Sequence, residues 1–108
     1  MTPSFETLAL SVDAHVATVT LNRPDKANSM NAAMWQELQA CFEWLDESDA
    51  VRAVVLAGEG RHFCAGLDLG MFEGLHGASG DPARRGEAFR RNVLRMQDNL
   101  TALERCRK

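Results

Sequence analysis

The sequence lacks any apolar run long enough to cross a bilayer. Its longest uninterrupted stretch lies near Ala53 to Ala57, far short of the roughly 20 residues a spanning helix needs, so a membrane span is excluded. The opening residues Met1 to Glu6 show neither a basic segment leading into an apolar one nor an Arg- and Ser-rich composition. No secretory or organelle signal is legible there, and cytoplasmic residence is expected. Cysteine is scarce. The three present, Cys41, Cys64 and Cys106, are odd in number and nowhere spaced C-x-x-C, which argues against a disulfide framework or a zinc ribbon and for reduced thiols. Familiar signatures are missing too: there is no G-x-x-x-x-G-K-[ST], no G-x-G-x-x-G after a strand, no G-x-S-x-G and no pair of histidines at helical spacing. With His15 assigned to a strand and His62 and His76 to loops, no metal site is expected. Cys64 has no histidine placed to activate it and reads as a small packing residue before Ala65-Gly66.

What is present is ordinary globular material. The 108 residues, 45% hydrophobic and 25% charged, make one small domain or a piece of a larger one. Charge is unevenly placed. Residues 1 to 80 carry 4 Lys/Arg against 11 Asp/Glu, whereas residues 81 to 108 carry 8 against 4. Arg84, Arg85, Arg90, Arg91 and Arg95 read as a solvated or subunit-contacting helix face, and no nucleic-acid partner is expected.

Periodicity sets out the elements. Leu8, Leu10 and Val12 alternate with polar or small residues, Asp13-Ala14 reads as a turn, and His15 to Leu21 alternates again, so residues 7 to 21 predict a hairpin. Met34, Leu38, Cys41, Phe42 and Leu45 form one stripe on a helix over 31 to 46, with Ser29 or Asn31 to cap it. Residues 53 to 57 do not alternate, which predicts a strand buried on both faces. The order strand, helix, strand is a βαβ unit whose crossover should be right-handed. Glycines at 58, 60, 66, 70, 74, 77 and 80 predict an irregular stretch through Ser79. Asp81-Pro82 then starts a helix over 82 to 106, with Phe89, Val93, Met96, Leu100 and Leu103 as its stripe. Nothing follows in the sequence to receive that stripe.

The chemistry-bearing segment is Gly60-Arg61-His62-Phe63-Cys64-Ala65-Gly66-Leu67-Asp68-Leu69. Small residues at Ala65 and Gly66 admit a ligand close to the backbone, and a turn before a short helix leaves amide N–H groups able to bind an oxyanion. Together with Leu21-Asn22-Arg23-Pro24-Asp25-Lys26-Ala27-Asn28-Ser29-Met30, in this order and spacing, it closely resembles the crotonase superfamily, the enoyl-CoA hydratase/isomerase family, from Thr7 onward. The Ala65 to Leu69 variant, the Gly-containing insertion and the ending Leu103 to Lys108 look more like dienoyl-CoA isomerases than the commonest hydratases.

The resemblance implies an α/β fold, the N-terminal portion of a crotonase-like (ClpP/crotonase) spiral of ββα units. It implies that Lys26 and Ala27 lie near the nucleotide and pantetheine of coenzyme A, that Ala65, Gly66, Asp68 and Leu69 line the acyl-CoA path, and that Leu67 supplies a backbone N–H to an oxyanion hole. The substrate would be an acyl-CoA thioester in fatty-acid β-oxidation chemistry, with coenzyme A as part of the substrate and no separate cofactor. Asp68 reads as a cap rather than a general base. By resemblance the second oxyanion glycine, the acid/base carboxylates and the trimer-forming helices lie beyond Lys108. The chain is therefore expected to be an N-terminal fragment, inactive and poorly folded alone, of a homotrimer or dimer of trimers. Non-catalytic CoA- or RNA-binding crotonase relatives, and a truncated partner of full-length subunits, are the alternatives.

Overall fold

Strand β1, Leu8–Asp13, turns back as β2, Val16–Leu21, in an antiparallel pair running from Leu8 opposite Leu21 to Asp13 opposite Val16. This is a computed structural model of the chain, and it describes residues 2–75 and 80–108. The turn sits one residue later than its composition suggests. Ala14 and His15 both take positive φ, 49° and 69°, the twist a two-residue hairpin turn requires. His15 is thus a turn residue and not a strand residue. Its Nδ1 lies 3.0 Å from the Ala50 carbonyl, and its own carbonyl accepts from Arg52 N, tying the turn to the approach of the third strand.

Ala17, Val19 and Leu21 alternate onto one buried face of β2. Helix α1, Ala32–Glu47, lays Met34, Leu38, Cys41, Phe42 and Leu45 over that face. Asn31 caps α1, its side chain accepting from Met34 N at 2.9 Å. Leu8, Met30 and Val51 complete this core, each large apolar side chain contributing about 2 kcal/mol by leaving water. Glu37 accepts from the backbone N–H of Glu6 and Thr7, fastening the chain before β1 to α1.

Strand β3, Ala53–Gly58, pairs parallel with β2 and ends the sheet order β1-β2-β3. It is not buried on both faces. Val54 and Leu56 pack against the core, whereas Val55 is 50% exposed. The run is apolar on both sides, but β3 is an edge strand and no described element covers its outer face.

Within the irregular stretch a short helix forms, α2 at Met71–Leu75. Gly77 and Ser79, like His76, lie outside the described residues. Helix α3, Pro82–Arg105, starts on Asp81, whose Oδ1 accepts from Arg84 N at 2.9 Å, and ends at the cap Cys106. Its second half runs in the same direction as α1: Asn99 donates to Gln39 at 2.6 Å, and further along Arg107 donates to Asp46 at 2.9 Å. Arg107 and Lys108 also donate to the carbonyls of Asp46 and Ser48, placing cations at the negative end of α1. The radius of gyration is 15.5 Å and the extents are 53 × 29 × 20 Å, against about 13 Å for a spherical domain of this length. Among the described residues no helix is long and apolar enough to cross a membrane.

Burial is thus concentrated in the hairpin and α1. Only Asn99 of α3 is buried, and residues 82 to 87 are exposed throughout. Among the helices and strands, amide hydrogen exchange should therefore be slowest at Val19 and through Leu38 to Phe42 and much faster over Ala83 to Arg91. Uniform protection along α3 would show that this division is wrong.

Candidate functional site

The two motifs, residues 21 to 30 and residues 60 to 69, meet in space. Pro24–Lys26 forms a single 3-10 turn after β2, and Ala27 and Asn28 leave it in the left-handed region at φ 52° and 55°. The chain after β3 folds back on itself at Gly58. A side chain there would meet the Phe63 carbonyl at 2.6 Å, so only glycine permits the approach. Residues 65 to 68 then run beside residues 27 to 30. Ala65 N donates to Ala27 O at 3.0 Å, Met30 N to Gly66 O at 2.7 Å, and Asp68 N to Met30 O at 3.0 Å, leaving Met30 and Leu67 paired in an isolated parallel bridge.

That pairing fixes the orientation of one peptide. The carbonyl of Gly66 and the N–H of Leu67 belong to the same planar trans unit and point in opposite directions. Because the carbonyl is aimed at Met30, the Leu67 N–H is aimed away from it. Among the described residues no acceptor receives that N–H. Its neighbour is occupied, since Gly66 N donates to Cys64 Sγ at 3.4 Å. Gly66 itself has φ 100°, and a β-carbon there would meet nothing within 4 Å, so glycine serves the backbone conformation here and not a lack of space. The Leu67 side chain lines an apolar groove of about 510 Å³, whose other walls include Trp35, Phe72, Leu75, Val93 and Met96. Most of the α3 stripe faces this groove, while Leu103 packs on the core.

Of the remaining candidates, Lys26, Ala65 and Leu69 are exposed, and Ala27, Gly66 and Asp68 are half-buried. Asp68 has both carboxylate oxygens engaged. Oδ1 accepts from Gly70 N at 2.8 Å, a turn that leads into α2, and Oδ2 accepts from Arg23 Nη1 at 3.0 Å. The Gly70 N–H first, and then Arg23, hold its carboxyl below the ordinary carboxylate range. A group so held is a poor proton acceptor at neutral pH, in keeping with a cap and not a base. Its lowered pKa makes these contacts favourable above the unfolded value of about 3.9 and progressively lost as pH falls through the folded value. A carboxyl-carbon NMR titration should give Asp68 a midpoint below that of a free aspartate, and Arg23→Met should raise it. An unchanged midpoint would mean the pair does not form. Cys41, the one cysteine in the core, is pushed up to about 12 by burial and carries no thiolate chemistry.

Periodicity and composition do not reveal how Asn28, Arg23 and Ser29 hold the site together. Asn28 is fully buried; its Oδ1 accepts from Arg23 N, and its Nδ2 donates to the carbonyls of Glu59 and His62 at 2.9 and 2.8 Å. Arg23 reaches Ser29 as well as Asp68. The partners across the two motifs lie 31 to 45 residues apart in sequence, and the one local signal is that asparagine tolerates the left-handed region better than most residues.

Comparison with known proteins bears on the fold and the family. The pattern of the enoyl-CoA hydratase/isomerase family matches residues 11–105. The mitochondrial Delta(3,5)-Delta(2,4)-dienoyl-CoA isomerase of Mus musculus is 41% identical over 100 residues, covering 91% of this chain and 31% of that protein. The peroxisomal enzyme of the same name from Arabidopsis thaliana is 33% identical over 111 residues, covering 97% and 40%. Among solved structures, an enoyl-CoA hydratase/carnithine racemase from Magnetospirillum magneticum superposes with a TM-score of 0.78 at 31% identity, over 95% of this chain and 36% of that one. An enoyl-CoA hydratase from Mycobacterium smegmatis gives 0.72 at 35% identity, over 94% and 37%. The chain thus spans about a third of the length of the curated relatives it matches, and its fold is that of the corresponding part of a crotonase. Sequence pattern, fold and the meeting of the two motifs lead to one conclusion: the chain belongs to the enoyl-CoA hydratase/isomerase family.

Proposed function

We propose that the chain forms the coenzyme A turn and half of the oxyanion hole of an acyl-CoA thioester enzyme, one that hydrates a 2-enoyl-CoA or moves a double bond in an enoyl- or dienoyl-CoA. The observation that carries this reading is the Gly66–Leu67 peptide, anchored through its carbonyl with its N–H unclaimed among the described residues. Both reactions place negative charge on the thioester oxygen as an enolate, and a fixed N–H dipole stabilises that charge without rearranging. The hydrogen bond at Gly66 O also polarises the same peptide, making the Leu67 N–H a better donor. The apolar groove beside Leu67 suits the acyl chain, and Lys26 and Ala27, joined to the site through the Ala27 carbonyl, suit the coenzyme A end.

In this reading coenzyme A belongs to the substrate, and no other cofactor takes part. The acid/base carboxylates are not supplied by Asp68, and the assembly is a trimer or a dimer of trimers, as the resemblance implies. Three free thiols support a reducing compartment, of which the cytoplasm is one; the dienoyl-CoA isomerase relatives are mitochondrial or peroxisomal by name. Of the α3 arginines that an RNA-binding role would use, Arg84 pairs with Asp81, and Arg90 and Arg91 pair with Glu87.

The test is a titration of the ¹⁵N-labelled chain with a short acyl-CoA thioester and with its thioether analogue, which lacks the carbonyl oxygen. Lys26 and Ala27 resonances should respond to both ligands. The Leu67 amide should shift more with the thioester than with the thioether, whose chain fills the same groove; equal shifts there would defeat the reading.

A further inference from the structure

We propose that Arg23 is a positioning residue for the Leu67 N–H: its guanidinium ties Ser29 to Asp68 and so locks the Gly66–Leu67 peptide in register with Met30. The inference rests on the oxyanion reading above.

The need for such a tie follows from the pairing itself. Met30 and Leu67 form an isolated bridge, not a ladder, and the one other backbone bond between the two segments, Ala65 N to Ala27 O, lies on the far side of the flexible Gly66. The bridge joins a segment containing Gly66, the most permissive residue, at φ 100°. A small rotation at either end of that peptide would swing the Leu67 N–H while breaking only the two bonds to Met30.

Arg23 is placed to prevent that rotation. One guanidinium nitrogen, Nη1, donates to the Ser29 carbonyl, to Ser29 Oγ at 3.3 Å and to Asp68 Oδ2 at 3.0 Å. Ser29 immediately precedes Met30, and Asp68 immediately follows Leu67, so the tie spans both strands of the bridge at its edge. The stem of Arg23 is fixed in turn, because its N–H reaches Asn28 Oδ1 and its carbonyl accepts from Lys26 N and Asn28 N. On the far side, Asp68 Oδ1 takes the Gly70 N–H. One carboxylate therefore links the tie to the start of α2. The Arg23 side chain is 17% exposed, whereas every other arginine in an ion pair among the described residues is at least 62% exposed. A shielded, charge-assisted bond resists exchange with water better than the surface pairs.

A merely structural role would lower stability and ligand affinity together, and a positioning role separates them. The experiment uses the complete chain with Arg23→Lys and Arg23→Gln, measuring affinity for the thioester and the thioether analogue and the Leu67 amide shift with each. Both variants should bind the thioether within about twofold of the parent. The affinity gained from the carbonyl should fall by about tenfold in Arg23→Gln, with partial recovery in Arg23→Lys, and the Leu67 shift should shrink in parallel. Asp68→Asn keeps an acceptor for Gly70 but removes the charge and replaces the oxygen that accepts from Arg23 with an amide NH2; it should lose the carbonyl-dependent gain as well, and it decides the matter if Arg23→Gln does not fold. A parent that shows the gain, with variants that retain it in full, would overturn the role of Arg23. A parent without the gain would overturn the oxyanion reading itself.

Discussion

Leu67→Pro, made in an active enzyme that contains these 108 residues, should lower kcat by about 10²-fold and leave KM for the acyl-CoA nearly unchanged. The loss of one oxyanion donor typically raises the barrier by about 3 kcal/mol. The substitution removes an N–H that no described residue accepts, so it costs no internal hydrogen bond. Because proline also restricts the residue before it, and Gly66 holds a positive φ, a second form of the experiment is needed. Replacing the Gly66–Leu67 amide by an ester deletes the donor while keeping the leucine side chain. Both should slow turnover to a similar degree, and Leu67→Ala, which retains the N–H, should not. Full turnover in the ester variant would remove Leu67 from the mechanism.

The largest effect on stability is expected at Asn28. Asn28→Ala removes one acceptor and two donated bonds from a fully buried position and leaves a residue with a β-carbon at φ 55°. The abandoned partners and the backbone penalty together should cost about 3 kcal/mol. Asn28→Gly should recover the backbone share, about 1 kcal/mol, and no more. Asn28→Asp should be the worst of the three, since it sets a carboxylate against the carbonyls of Glu59 and His62 without water. Urea unfolding midpoints falling in the order Gly, Ala, Asp would support this account. Equal midpoints for Ala and the parent would show that the network adds nothing.

Asn28 also marks the limit of what periodicity can read. The stripe of α1 and the inward face of β2 are local patterns, repeated every three to four or every two residues, and they predict burial because one apolar face must be covered. The hairpin turn is displaced by one residue from its sequence reading because Ala14 and His15 carry positive φ without the glycine or asparagine that would announce it. The exposure of Val55 is not legible either: an apolar strand records what can cover it, not whether the cover is present. The site divides in the same way. Motif order brings Ala27 and Gly66 into view through resemblance, but the peptide orientation at Leu67 depends on bonds to Met30, 37 residues earlier. Arg23 reaching Asp68 is likewise a product of the fold.

The long axis of the molecule, 53 Å against a shortest extent of 20 Å, bears on how the chain will behave in solution. A body of that outline meets more friction than a sphere of equal mass. A gel-filtration column calibrated with rounded standards will therefore report a mass above 11.9 kDa for a single copy. Early elution would not by itself show association, which has to be judged by light scattering or sedimentation equilibrium, methods that weigh the particle independently of its drag.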